Sequence, residues 1–144
     1  MIFRRLSSPV SVVPALRLPA EPSPREPLAR FLFNRNHYAP ETARVKPRAF
    51  QPARQDYKTS VFRIIDLAEE EVWRLADENA AGDRGKAEAR AVLLVRQVTD
   101  AGLRVESDDI PPRHANLVGW PTGKDEWKSV AQELAAEATL RVRA

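Results

Sequence analysis

Thr59-Ser60-Val61-Phe62-Arg63-Ile64-Ile65 decides how the rest of the chain is read. It is β-branched and apolar on both faces, the pattern of a strand covered from two sides. In extended backbone Phe62 and Ile64 project to one face, and Val61, Arg63 and Ile65 to the other. A guanidinium between Val61 and Ile65 needs a carboxylate, backbone carbonyls or a bound anion if the strand is central. On an edge strand Arg63 is simply solvated.

Downstream, Asp66-Leu67-Ala68-Glu69 has the form of a helix-capping box, with Asp in the leading place. The predicted helix runs to about Ala80 and buries Val72, Trp73, Leu75 and Ala76. Glu69, Glu70 and Glu71 fall in its first turn, where the helix dipole favours negative charge. Gly82 and Gly85 separate it from a second predicted helix over roughly 86–100. There Ala87, Ala91, Leu94, Val95 and Val98 mark one face, and Gly102 is a natural stop. Leu103-Arg104-Val105-Glu106 alternates like a short strand. Pro111-Pro112 breaks the chain, and Arg113 to Trp120 reads as a strand or an ordered loop. A third helix, with Thr122 and Asp125 resembling its N-terminal cap, is predicted to bury Trp127, Val130, Ala131, Leu134, Ala135 and Ala138. No stop signal precedes Leu140-Arg141-Val142-Arg143, so continuation of that helix is favoured over a final strand.

Upstream, Arg30-Phe31-Leu32-Phe33-Asn34 is a short strand. Residues 35–58, with Pro40, Pro47 and Pro52, read as a long irregular excursion. The expected architecture is a single α+β domain over 30–144, with about three or four strands and three helices. Residues 1–29 read as a Pro-rich basic tail without fixed structure. Pro9, Pro14, Pro19, Pro22, Pro24 and Pro27 recur too often for a helix or a central strand. Pro9, Pro14 and Arg17 also interrupt the apolar core that a secretory signal needs.

The chain has 144 residues, 12 prolines and no cysteine, which excludes disulfides, thiolate metal sites and a cysteine nucleophile. No apolar run is long enough for a membrane helix. The net charge of +3 conceals an uneven distribution. Residues 1–58 hold 11 basic and 4 acidic side chains, whereas residues 59–110 hold 7 and 12. Such asymmetry between halves can mark a basic arm beside a structured body. The basic segment itself suits an anionic partner.

That segment centres on 30–63, where six of the ten aromatic residues interleave with the basic ones. Arg35, Arg44, Lys46, Arg48, Arg54, Lys58, Arg63 and Arg113 are the candidate anion or nucleic-acid contacts, with Tyr38 and Tyr57 as stacking residues. The same residues fit core strands and solvated loops equally well, or an arginine-rich surface docking on an acidic protein. A second cluster is Arg113-His114-Ala115-Asn116. His114 is a candidate general base and Asn116 its orienting partner, since extended backbone projects both to one side. Arg63 or Arg113 could then hold an anionic group. Asp108-Asp109 is a weak metal-ligand pair, because adjacent aspartates point apart in extended chain. No P-loop, HExxH, GxSxG or paired zinc-ligand motif occurs, and no cofactor is expected.

Arg30–Asn34, Thr59–Ile65 and especially Arg113-His114-Ala115-Asn116-Leu117-Val118-Gly119-Trp120-Pro121 resemble segments of short bacterial proteins sharing R-H-A-N-x-x-G-W-P. The likeness spans roughly residues 29–140. It implies a bacterial, cytoplasmic setting and carries over no activity, cofactor or catalytic residue. The resulting expectation is a small cytoplasmic binding or accessory domain that engages an anionic partner, nucleic acid first, through 30–63. The alternatives are a small enzyme acting on a phosphorylated or nucleotide ligand with His114 as acid/base, and a structural subunit that binds another protein. Oligomeric state is left open.

Overall fold

The expected central strand forms as β4 (Thr59–Arg63), and every other strand of the main sheet is placed relative to it. The structure is a computed structural model, described for residues 18–80 and 85–144. Residues 1–17 of the Pro-rich segment and Gly82 of the predicted interhelical break lie outside the described residues.

The elements in order are β1 (Pro27–Leu32), β2 (Tyr38–Ala39), β3 (Arg44–Val45), β4, α1 (Glu69–Asn79), β5 (Ala89–Leu94), α2 (Val95–Asp100), β6 (Arg104–Ser107), β7 (His114–Val118), α3 (Lys124–Glu137) and β8 (Thr139–Val142). Six strands form one antiparallel sheet in the order β6-β7-β4-β1-β5-β8, and β2 and β3 form a separate ribbon. The described residues are α+β with three helices, and three or four strands understates the six-stranded sheet.

The alternation read in β4 sorts the core into two layers. Phe62 and Ile64 join Ala29 and Phe31 beneath Val72, Trp73, Leu75 and Ala76 of α1. Val61 faces the other way, into a larger cluster with Leu28, Leu93, Val98, Leu117 and Leu134. α2, α3 and the short turn Pro47–Phe50 supply the cover on that second face. The excursion 35–58 is therefore partly ordered, since Tyr38, Val45, Ala49 and Phe50 are all buried in that core.

Three local expectations are corrected. The predicted helix over 86–100 is a strand, β5, that turns into a short helix at Val95. Ala89, Ala91 and Leu93 face one layer, while Arg90 and Val92 lie on the other side. A strand covered from two sides imitates a helical face when its residues are mostly Ala, Val and Leu. Leu140–Val142 leaves α3 and pairs with β5, because Ala138 already has extended backbone. Helix α1 starts at Glu69, with Ala68 in the capping position; Glu71 accepts the Ala68 N–H at 2.7 Å. Asp66 instead occupies left-handed backbone at φ 65°.

Strand β1 begins at Pro27, ahead of the expected Arg30, and residues before it pack on the sheet. Glu26 is buried and grips Arg63. Val95 N–H donates to Glu26 O, and Arg96 N–H to Pro24 O.

Candidate active site

Phe62 pairs with His114 and Ser60 with Asn116 across β4 and β7. Paired residues in antiparallel strands project to the same face. Ser60 and His114 are therefore neighbours on the α1 side of the sheet, at its open end. Ser60 Oγ lies 2.6 Å from His114 Nε2, and His114 Nδ1 lies 2.7 Å from Asp108 Oδ1. In the neutral imidazole, the carboxylate acceptor at Nδ1 assigns the ring proton there and leaves Nε2 to accept from the Ser60 hydroxyl. The three side chains form one directed chain of hydrogen bonds: serine to histidine to aspartate.

The segment between β6 and β7 places the aspartate. Asp108 N–H and Asp109 N–H both donate to His114 O, and His114 N–H donates back to Pro111 O at 2.9 Å. Asp109 Oδ1 accepts the Arg113 N–H at 2.8 Å. Asp109 and Arg113 take left-handed backbone at φ 57° and 73°. Side-chain-bearing residues seldom adopt it, and such strain concentrates at functional sites. Asp108 also accepts Ile110 N–H at Oδ1 and Asn116 Nδ2 at Oδ2. Burial pushes its carboxyl pKa up, but the bonds from His114, Ile110 and Asn116 outweigh this and hold it below the usual value.

The ring of Phe62 supports the imidazole edge-on, with centroids 5.4 Å apart. Two depressions meet at this point, and Arg30, Ser60 and His114 line both. The narrower, of about 170 Å³, is walled by Phe31, Phe33, Phe62 and Pro111. The wider, of about 420 Å³, is bordered by Gln51, Gln55, Asp56, Lys58 and Asn116. Arg30 sits where β1 and β4 part. Their ladder pairs only Leu28 with Arg63 and Ala29 with Phe62. Beyond it, Arg30 donates from Nε to Ala49 O and from an Nη to Ser60 O, each at 2.9 Å.

Of the sequence-derived site residues, His114 and Asn116 come together as expected, though Asn116 reaches the histidine through Asp108. Arg63 and Arg113 stand apart from them. Arg63 lies on the opposite face of β4, where Glu26 takes its guanidinium; Pro19 O and Ser107 Oγ accept as well. Arg113 is buried and donates to the carbonyls of Arg63 and Ile65. Neither is available to a ligand at His114. Tyr38 is 2 % exposed and donates its hydroxyl to Glu88, so its ring offers no stacking face. Tyr57 is 37 % exposed, and its hydroxyl donates to Thr122 O. Arg35, Arg44, Arg48, Arg54 and Lys58 are exposed, and none forms an ion pair among the described residues. Lys46 donates to Arg35 O. Asp108 and Asp109 serve His114 and the Arg113 amide, and among the described residues no three His, Asp or Glu side chains converge for a metal ion.

Sequence reasoning did not join Ser60 or Arg30 to the His114 cluster, and took Asp108 only as a weak metal ligand. The available signal for Ser60 was its polarity on the Phe62 side of an otherwise apolar strand. Among the described residues no helix is long and apolar enough to cross a membrane. No family model, curated protein or solved structure matches the chain.

Proposed function

We propose that the protein is a small serine hydrolase, with Ser60 as nucleophile, His114 as general base and Asp108 as the residue that orients it. The observation that carries this reading is the hydrogen-bonded sequence Ser60–His114–Asp108, with links of 2.6 and 2.7 Å. A hydroxyl is a poor nucleophile until an adjacent base takes its proton, and a base is effective when a third group fixes its tautomer. Both conditions are met by side chains held on strands or on a loop pinned to a strand. Ser60 Oγ attacks an ester carbonyl carbon while His114 Nε2 receives the hydroxyl proton. The C–O bond to the alcohol breaks, and His114 returns that proton to the departing oxygen. Water then attacks the acyl carbon, giving its proton to His114, and Ser60 regains a proton as the acid is released. Arg30, which bonds the Ser60 backbone carbonyl and lines both depressions, is the cation we assign to the developing oxyanion.

The test is labelling with a fluorophosphonate, which forms a covalent bond to an activated serine. The expected result is one adduct on Ser60, lost in Ser60→Ala and strongly slowed in His114→Ala. An unlabelled wild-type protein that also hydrolyses no ester overturns the proposal.

A second reading rests on the exposed Arg35, Arg44, Arg48, Arg54 and Lys58, which lack ion pairs among the described residues. They support contact with an anionic partner, nucleic acid first. Such binding weakens steeply as salt rises. Unchanged oligonucleotide mobility at low salt removes it.

A further inference from the structure

The two depressions that meet at Ser60 differ in volume and in the side chains that line them, and the difference bears on what kind of ester fits. We infer that the substrate carries a ring-sized apolar acyl group, joined as an ester to a larger, polar alcohol. This rests on the hydrolase reading above. The narrow depression has three phenylalanine walls, two of them 5 % exposed, alongside Pro111, Ala80 and the polar Asn79. Phe31 and Phe62 are packed ring to ring at 5.8 Å, and Phe31 packs on Trp73 at 6.3 Å, so these walls are fixed. A closed apolar cavity of about 150 Å³ holds one benzene ring. The depression here, of about 170 Å³, is of similar volume but open, and Arg30, Ser60, Asn79 and His114 line it beside the aromatic side chains. A flat ring gains offset or edge contacts with such walls that a chain of methylenes does not.

The order of events assigns the halves. In the acyl-enzyme the acyl group stays bonded to Ser60 Oγ while the alcohol leaves and water enters. The retained half belongs in the narrow aromatic depression, and the departing half in the wide one. The wide one is bordered by Gln51, Gln55, Asp56, Lys58 and Asn116, side chains that hydrogen-bond a polar alcohol. Its greater volume, about 420 Å³, leaves room for water to follow.

Two matched probes test the assignment: the benzoyl and acetyl esters of glycolate, which share one anionic alcohol. The expected result is a kcat/KM at least tenfold higher for the benzoyl ester. Phe33→Ala, which widens the depression, should shrink that ratio and raise turnover of a naphthoyl ester. Independently, Ser60→Ala protein titrated with benzoate should shift the resonances of Phe31, Phe33 and Phe62, while acetate should not. Equal turnover of both esters by the wild type overturns the inference and leaves the hydrolase standing. Benzoate binding to Ser60→Ala, with no ester hydrolysed by the wild type, supports the ring site and overturns the reaction. Absence of both binding and turnover overturns both.

Discussion

Arg63 is held by both carboxylate oxygens of Glu26, and neither side chain is more than 3 % exposed. The pair joins the segment ahead of β1 to the middle of the sheet. Removing the carboxylate alone strands a buried guanidinium next to a second one, that of Arg113. Glu26→Ala should therefore destabilise by about 3–5 kcal/mol. Replacing both partners, as in Glu26→Leu with Arg63→Met, should recover most of that loss. Urea denaturation of the three proteins measures it, and a double variant no better than Glu26→Ala contradicts the account.

Glu69 gives the clearest acid dependence. Hydrogen bonds from the buried Arg90 outweigh burial and hold its pKa at about 2, against an ordinary value of 4.5. A folded-state pKa below the unfolded one means the contribution is complete above the unfolded value and is lost as pH falls through the folded one. The melting temperature of Glu69→Gln should lie below that of the wild type at pH 7. The gap should narrow between roughly pH 5 and 2. Glu69 is half exposed, so the effect is moderate. A gap that stays constant down to pH 2 counts against the assignment.

For the proposed hydrolysis, Ser60→Ala and His114→Ala should each lower kcat about as much as the two together, since the residues act as one unit. Asp108→Asn should lower it by roughly a thousand- to ten-thousand-fold by disturbing the histidine tautomer. The carboxylate in that position is already held ionised by its partners. Single-turnover kinetics with unchanged circular dichroism reads this out. Additive losses in the Ser60 and His114 double variant would show that the two do not work together.

Arg30 makes a separable contribution. Arg30→Met should reduce kcat by about a hundredfold, in line with loss of one donor to an oxyanion, with little change in KM. Arg30→Lys keeps the charge without the fork and should recover part of the rate. A thermal melt on each variant separates this from loss of the anchors to Ala49 O and Ser60 O.

The two-layer core was legible because Val61, Phe62 and Ile64 alternate in a β-branched run, and because α1 keeps Val72, Trp73, Leu75 and Ala76 on one face. β5 was not, since Ala89–Leu94 is apolar on both sides except at Arg90 and leads into α2 without a turn residue. β8 was hidden for a different reason. Nothing local stops α3, and pairing with β5 overrides helical continuation at Ala138. At the site, His114 and Asn116 share a strand and so announced themselves together. Ser60 comes from the neighbouring strand through a register that no local pattern encodes. Asp108 arrives by a loop with two left-handed residues, Asp109 and Arg113, neither a glycine that would have marked the turn.

The position of β1 bears on how the protein reaches its fold. This strand is the first described in the chain, yet it lies inside the sheet, between β4 and β5. Every pairing it makes waits for residues far downstream: Leu28 for Arg63 and Leu93, Pro27 for Leu94. Such long loop closures precede the reward of contact, which slows folding. A chain emerging from the ribosome holds β1 without its first neighbour until β4 has been made and without its second until β5 has. Both layers of the core are then expected to condense together, with no independently folding half.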